Sequence, residues 1–141
     1  MTRFAVFSYV KDRSKNETVP VGVAVWSPEG RWHRTRFLAA GERLNGVDLG
    51  RCLSFVELVR EKLEHWEATG RLPYAERQLS PSEDAWWLHV RKLLNHEIWL
   101  SEPETIPDET PDRSLESSWL VVTGKATLSE PDPEGAAAIR S

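Results

Sequence analysis

Cysteine is almost absent from this chain of 141 residues: Cys52 stands alone. A single cysteine excludes an internal disulfide framework and any cysteine-rich zinc or iron–sulfur site, and it fits a reducing compartment. Cys52 falls on the apolar stripe of an expected helix, where a thiol packs and stays inert. Long apolar runs are missing as well. None approaches the roughly 20 residues that span a bilayer, and MTRFAVF lacks the charged region, apolar core and small-residue cleavage site of a signal peptide. A cytoplasmic protein that does not enter membranes is the expectation. His33, His65, His89 and His96 contain no HExxH pair and no standard zinc spacing, so neither a metal nor a cofactor is expected. TGKAT is not a phosphate loop, because Trp119 occupies the place of the first required glycine and Ala126 that of the magnesium-binding Ser or Thr. No catalytic residues stand out, which points away from an enzyme without excluding one.

What is present is a continuous β signal at the start. FAVFSYV, TVPVGVAVW and RWHRTRFL follow one another across KDRSKNE and SPEG, the pattern of an N-terminal β-meander. In the first strand Phe4 and Val6 alternate with Ala5, Phe7 and Tyr9, so both faces are apolar and the strand is expected at the centre of its sheet. In the second, Val19, Val21, Val23 and Val25 form a β-branched ridge. Pro20, Gly22, Ala24 and Trp26 make the opposite face, mostly of small groups, fit for close approach by a packed helix or by a ligand. Pro20 cannot donate to a ladder and belongs at an edge or a bulge. Ser27-Pro28-Glu29-Gly30 has type I turn chemistry. The third strand is the most polar and is expected at the sheet edge, with Trp32, Arg34 and Arg36 on one face.

Helices follow. Asp48 is placed to cap one that carries Leu49, Cys52, Leu53, Val56, Val59, Leu63 and Trp66 at spacings of three and four, with Glu57, Arg60, Glu61, Lys62 and Glu64 on its solvated face and Gly70 as its stop. Ser80 and Glu83 form a capping box, with Pro81 at the first position of a second helix reaching to about Leu94. Trp86 and Trp87 lie about 100° apart on it, so one of them is expected at the rim of the buried face. IWLS (residues 98–101) reads as a fourth strand and EPETIPDETP as a loop. Asp112 then caps a short last helix through Leu115, Trp119 and Val122, with a strand through WLVVT as its rival. The expected fold is therefore α+β: an antiparallel sheet of three to four strands covered by two main helices and a short C-terminal helix. Residues 1–128 make one domain, of a size that buries roughly two-thirds of its unfolded surface. The apolar-poor residues 129–141 are expected to be disordered.

Charge is unevenly spread. Residues 1–48 hold eight Lys/Arg against five Asp/Glu, and residues 102–141 three against nine. Such a division either presents a basic surface to an anionic partner or lets an acidic tail fold across its own sheet. The candidate binding residues for a partner or an anion are Arg34 and Arg36 with Trp32 beside them, together with Trp86 and Trp87, because Trp and Arg dominate interface energies and paired arginines suit carboxylate or phosphate. Nucleic acid or nucleotide binding through Arg34 and Arg36, aided by Arg3, Lys11, Arg13, Lys15, Arg31 and Arg43, is the alternative. A pI near 5.6 lacks the footprint of a dedicated binder.

YVKD, VPVGVAVW and WLSEPETIPDE give the chain a likeness to a family. It resembles the bacterial domain of unknown function 3037, whose members are similar in a first strand ending in Tyr-Val and a second of the form Val-Gly-Val, here Val21, Gly22 and Val23. The resemblance extends over about two-thirds of the chain when the helices and Leu100 to Pro103 are included. Val19 and Pro20 depart from the polar and apolar residues that the family often has there. It implies no catalytic residues. It does imply a small accessory protein with a protein partner, in some cases a HipA-like kinase-fold protein. A protein-interaction domain that presents a sheet edge and an aromatic rim is thus the leading expectation, and pairing of two copies across an edge is compatible with it.

Overall fold

The computed structural model describes residues 1–12, 17–38, 50–94 and 98–126. In chain order come β1 (Thr2–Asp12), β2 (Glu17–Ser27), β3 (Trp32–Phe37), α1 (Gly50–Thr69), α2 (Asp84–Leu93), β4 (Ile98–Leu100), β5 (Glu104–Ile106) and α3 (Pro111–Ala126). The fold is α+β. The meander is formed, the sheet is antiparallel in the order β3-β2-β1-β4, and β5 also pairs with β1. The doubly apolar β1 is central and the polar β3 is an edge, as their side-chain patterns require. The expected cap at Asp48, the basic residues Arg13, Lys15 and Arg43, His96 and the tail 129–141 lie outside the described residues, and so do the side chains of Lys11 and Cys52.

Pro20 sits at one of two register shifts between β1 and β2, the other falling between Val10 and Asp12. Phe7 faces Gly22 but Ser8 faces Pro20, which leaves Val21 as the extra residue of a bulge. The slip breaks the expected valine ridge. Val19 and Val23 pack with Leu38, Trp119 and Val122 on one side of the sheet, whereas Val21 joins Ala5, Phe7, Ala24 and Trp26 on the other. The small-residue hollow at Gly22 is filled by neither a helix nor a ligand. Phe37 of the neighbouring strand lies over it, so close that a Cβ on Gly22 would sit 2.5 Å from the ring. Phe37 in turn packs on Phe7 at 4.7 Å between centroids.

EPETIPDETP was expected as a loop, yet it contains β5. β4 lies beside Phe7–Tyr9 and β5 beside Thr2–Phe4, so the two are halves of one interrupted edge strand. At the interruption the Ser101 N–H donates to the Val6 carbonyl, and the Val6 N–H donates to Ser101 Oγ, each at 2.9 Å. A hydroxyl thus stands in for the missing backbone acceptor. That contact spares a central-strand amide the roughly 1–3 kcal/mol of going unpaired.

Helices cover both faces. Val56, Val59, Leu63 and Trp66 of α1 and Trp86, Trp87 and Val90 of α2 bury with the Phe7–Trp26 face, and Gly70 (φ +70°) ends α1 with its N–H on the Trp66 carbonyl. α2 begins three residues later than its capping box suggests. The Glu83 carboxylate does accept from the Ser80 N–H, at 3.1 Å, but Ser80 Oγ accepts from Ser82 N–H, and residues 81–83 are held in a turn. α3 is a helix over residues 111–126, longer than expected, with no strand through WLVVT. Its first turn is capped by Thr110, which accepts from Arg113 N–H and Ser114 N–H. Asp112 stands two positions further in, where a carboxylate still favours the helix dipole.

Gly22→Ala is expected to destabilise the fold by about 1–3 kcal/mol, because Phe37 cannot move off without losing its contact with Phe7. Urea unfolding measures this; unchanged stability would show that Phe37 is not the lid on Gly22.

Candidate protein-binding surface

The expected site residues do not converge. Trp86 and Trp87 are both fully buried, which corrects the expectation that one would lie at a rim. A helix roofed on a second side buries two adjacent residues. Here the sheet takes Trp87, stacked on Trp26 at 5.2 Å and 23°, while α1 and Leu72, Ala75 and Leu79 of the segment after it close the remaining flank. That segment is tied down by α2 itself: Trp87 Nε1 donates to the Pro81 carbonyl at 2.7 Å, and His89 Nε2 lies 2.6 Å from that of Pro73.

Arg34, Arg36 and Trp32 share one face of β3, and α3 lies against that face. The Arg36 guanidinium is 4.6 Å above the centre of the Trp119 ring. Arg34 Nε is 3.4 Å from Asp112 Oδ1, and its Nη1 donates to the His33 carbonyl at 2.8 Å. Trp32 is half-buried, its ring packed over Gly30 of the preceding turn. The basic strand is therefore engaged by acid and aromatic groups from the C-terminal part of its own chain. Each contact is modest, an exposed ion pair adding at most about 1 kcal/mol and an exposed cation–π contact a similar amount. The helix is held mainly by the burial of Trp119, Val122 and Leu115 against Val19, Val23 and Leu38.

A surface that sequence reasoning passed over lies elsewhere, on α2 and β4. Leu88, Arg91 and Lys92 recur at i, i+3 and i+4 on the outer side of α2, so they are neighbours. In β4 the alternation turns Ile98 and Leu100 inward and leaves Trp99 42% exposed. Leu88 is 43% exposed. Between the two elements Arg91, Lys92, Leu94, Trp99 and Leu100 line a depression of about 240 Å³. The signal for Trp99 was present in the period of two through Ile-Trp-Leu. Arg91 donates Nε to the Leu100 carbonyl at 3.0 Å and holds Glu102 at 3.9 Å.

On each sheet edge one outward backbone carbonyl is taken by an arginine. In the β2–β3 ladder the Leu38 N–H reaches the Val21 carbonyl, which fixes His33, Thr35 and Phe37 as the residues whose backbone groups point outward. The outward carbonyl of His33 is taken by Arg34. On the other edge the Val6–Ser101 pair sets the phase and turns Leu100 outward, where Arg91 takes its carbonyl.

At the opposite end of the sheet, polar contacts tie the chain start to later elements. Asp84 Oδ1 accepts from Trp26 Nε1 at 2.8 Å, its Oδ2 lies 3.2 Å from Arg3 Nη2, and Arg3 Nη1 donates to Thr105. The Met1 ammonium bridges Glu29 at 3.0 Å and Asp108 at 3.4 Å, and Thr2 Oγ1 donates to Asp108 at 2.8 Å. The hydrogen bond to Glu29 is the main influence raising the ammonium above its ordinary value. The same bond lowers the Glu29 carboxyl, and the Thr2 hydroxyl, followed by the ammonium, lowers that of Asp108. Among the described residues no group of three or more His, Cys, Asp or Glu is placed to hold a metal ion. No helix among them is long and apolar enough to cross a membrane.

The sign of the pH dependence follows. The carboxylates contribute stability that is complete above their unfolded values and is lost as pH falls through the lower folded ones. The ammonium contributes below pH 8.0, its ordinary value, and that contribution is lost as pH rises through the higher folded one. Thr2→Val should move the Asp108 titration midpoint, read by carboxyl ¹³C shifts, up towards the ordinary range while leaving Glu29 in place; an unmoved Asp108 would contradict the assignment. Comparison with family models, curated proteins and solved structures returned no match.

Proposed function

We propose that this chain is a protein-interaction domain that recognises a partner protein through the side chains of α2 and β4. The observation that carries the reading is the exposure of Trp99 and Leu88 next to Arg91 and Lys92 on one continuous surface. Trp and Arg are the residues that most often dominate binding energy at interfaces. The depression itself is smaller and more open than the enclosed sites of about 300–1,000 Å³ that bury small ligands, so it suits a single side chain of a macromolecular partner. Arginine caps on both sheet edges favour side-chain recognition over strand addition. The likeness to the domain of unknown function 3037 makes a HipA-like kinase-fold protein the first partner to test. Binding of nucleic acid by Arg34 and Arg36 would compete with the exposed Asp112 carboxylate at Arg34 and with the Trp119 ring at Arg36.

The test is affinity capture of the tagged chain from its native cell, run beside a Trp99→Ala/Leu88→Ser variant and with and without nuclease. A protein held by the wild type, resistant to nuclease and lost from a variant with unchanged thermal unfolding, is the expected result. Partners that survive the double substitution move the interface elsewhere. Partners that disappear with nuclease replace the protein reading with the nucleic-acid one.

A further inference from the structure

Among the described residues, the cations on this surface are only weakly balanced by acids. Lys92 is exposed and forms no ion pair with any described residue. Arg91, 44% exposed, reaches one carboxylate among the described residues, that of Glu102, at 3.9 Å, and Glu102 is itself 78% exposed. A pair so open to water is worth little, so Glu102 holds the place of an anion without binding it tightly. Arg91 is meanwhile fixed from behind by the Leu100 carbonyl, which orients its guanidinium towards the depression before any partner arrives. Two like charges side by side, one pre-oriented, next to an indole and the leucines of the wall make a site with a definite complement: negative charge next to apolar bulk.

Resting on the protein-interaction reading, we propose that the partner segment is an acidic peptide that seats one apolar side chain in the depression against Trp99 and Leu94 and lays carboxylates on Lys92 and Arg91, displacing Glu102. Charge complementarity selects this occupant. A basic or neutral apolar segment would bury the indole equally well but leave Lys92 facing its own charge or none. Glu102 then acts as an internal competitor, and its removal tightens binding. A purely apolar interface makes no such prediction.

A phage-displayed library of short random peptides, selected against the full chain and in parallel against Lys92→Glu, provides the ligand. Selected sequences are expected to carry Asp or Glu flanking one Leu, Phe or Trp, and to lose that acidic excess against Lys92→Glu. The best peptide, fluorescently labelled and measured by anisotropy, should bind about tenfold more weakly to Lys92→Glu and lose binding to Trp99→Ala. It should bind about threefold more tightly to Glu102→Gln, the range of an exposed ion pair. A short single-stranded oligonucleotide is the anion control. Peptides without acidic excess, or affinities unmoved by both Lys92→Glu and Glu102→Gln, overturn the acidic-peptide proposal. If the captured protein still depends on Trp99 in that case, the interaction reading stands without it. An oligonucleotide that binds as well as the peptide and competes with it also overturns the proposal, because the site would then recognise anionic charge alone.

Discussion

β1 and β2 carry apolar side chains on both faces, and that constraint organises the rest of the chain. Phe7, Ala24 and Trp26 need a cover on one side, and Val19 and Val23 need one on the other. α1 and α2 supply the first. The only described helix left for the second is α3, which crosses to the far face after the edge strand. Burying both faces is what makes a chain of this size stable, at about 25 cal/mol for each Å² of apolar surface removed from water, and it fixes the fate of the arginines. Once α3 must lie over β2 and β3, Asp112 and Trp119 arrive above Arg34 and Arg36. The acid and the ring of α3 thus meet the arginines of β3 within the molecule.

The edge strand shows how the same constraint tolerates a poor sequence. β1 is long, and the segment returning beside it is interrupted by Pro103 and dense in acids, a composition that argues against strand. Pairing occurs because a central strand with unpaired amides over Thr2–Phe4 would cost more than the ordering of three residues of β5. Ser101 completes the pairing at the break with its hydroxyl. The interruption also has a consequence for the surface: it leaves Glu102 outside the ladder, within reach of Arg91 on the neighbouring helix.

Much of the fold was legible because it rests on local rules. Alternation placed β1 at the centre and β3 at the edge, the three-and-four spacing drew α1, and Gly70 ended it. What failed depended on partners distant in sequence. The valine ridge broke because Pro20 shifts the register by one residue, which moves Val21 through the sheet. The hollow at Gly22 was filled by Phe37, and no local pattern states which neighbour an aromatic ring will lean on. Thr110 and not Asp112 capped α3, a choice between two good caps decided by where Pro111 can stand.

The candidate site was read less well than the fold, for one reason. Residue type was allowed to stand for exposure in the two adjacent tryptophans, which a second roof buries, whereas Arg34 and Arg36 stay exposed beside α3. Period alone was the better guide. Ile98, Trp99 and Leu100 form a three-residue strand whose outer residues must face the core, and that requirement turns the indole of Trp99 outward. An outward tryptophan on a short edge strand adds little to the core that holds the sheet. It does add apolar surface beside Arg91, whose guanidinium is already committed to the same strand through the Leu100 carbonyl. One contact therefore does two things: it closes a backbone acceptor that would invite another strand, and it holds a cation still beside an exposed ring. The same side chain thus blunts one point of the sheet edge and sets a positive charge beside apolar surface.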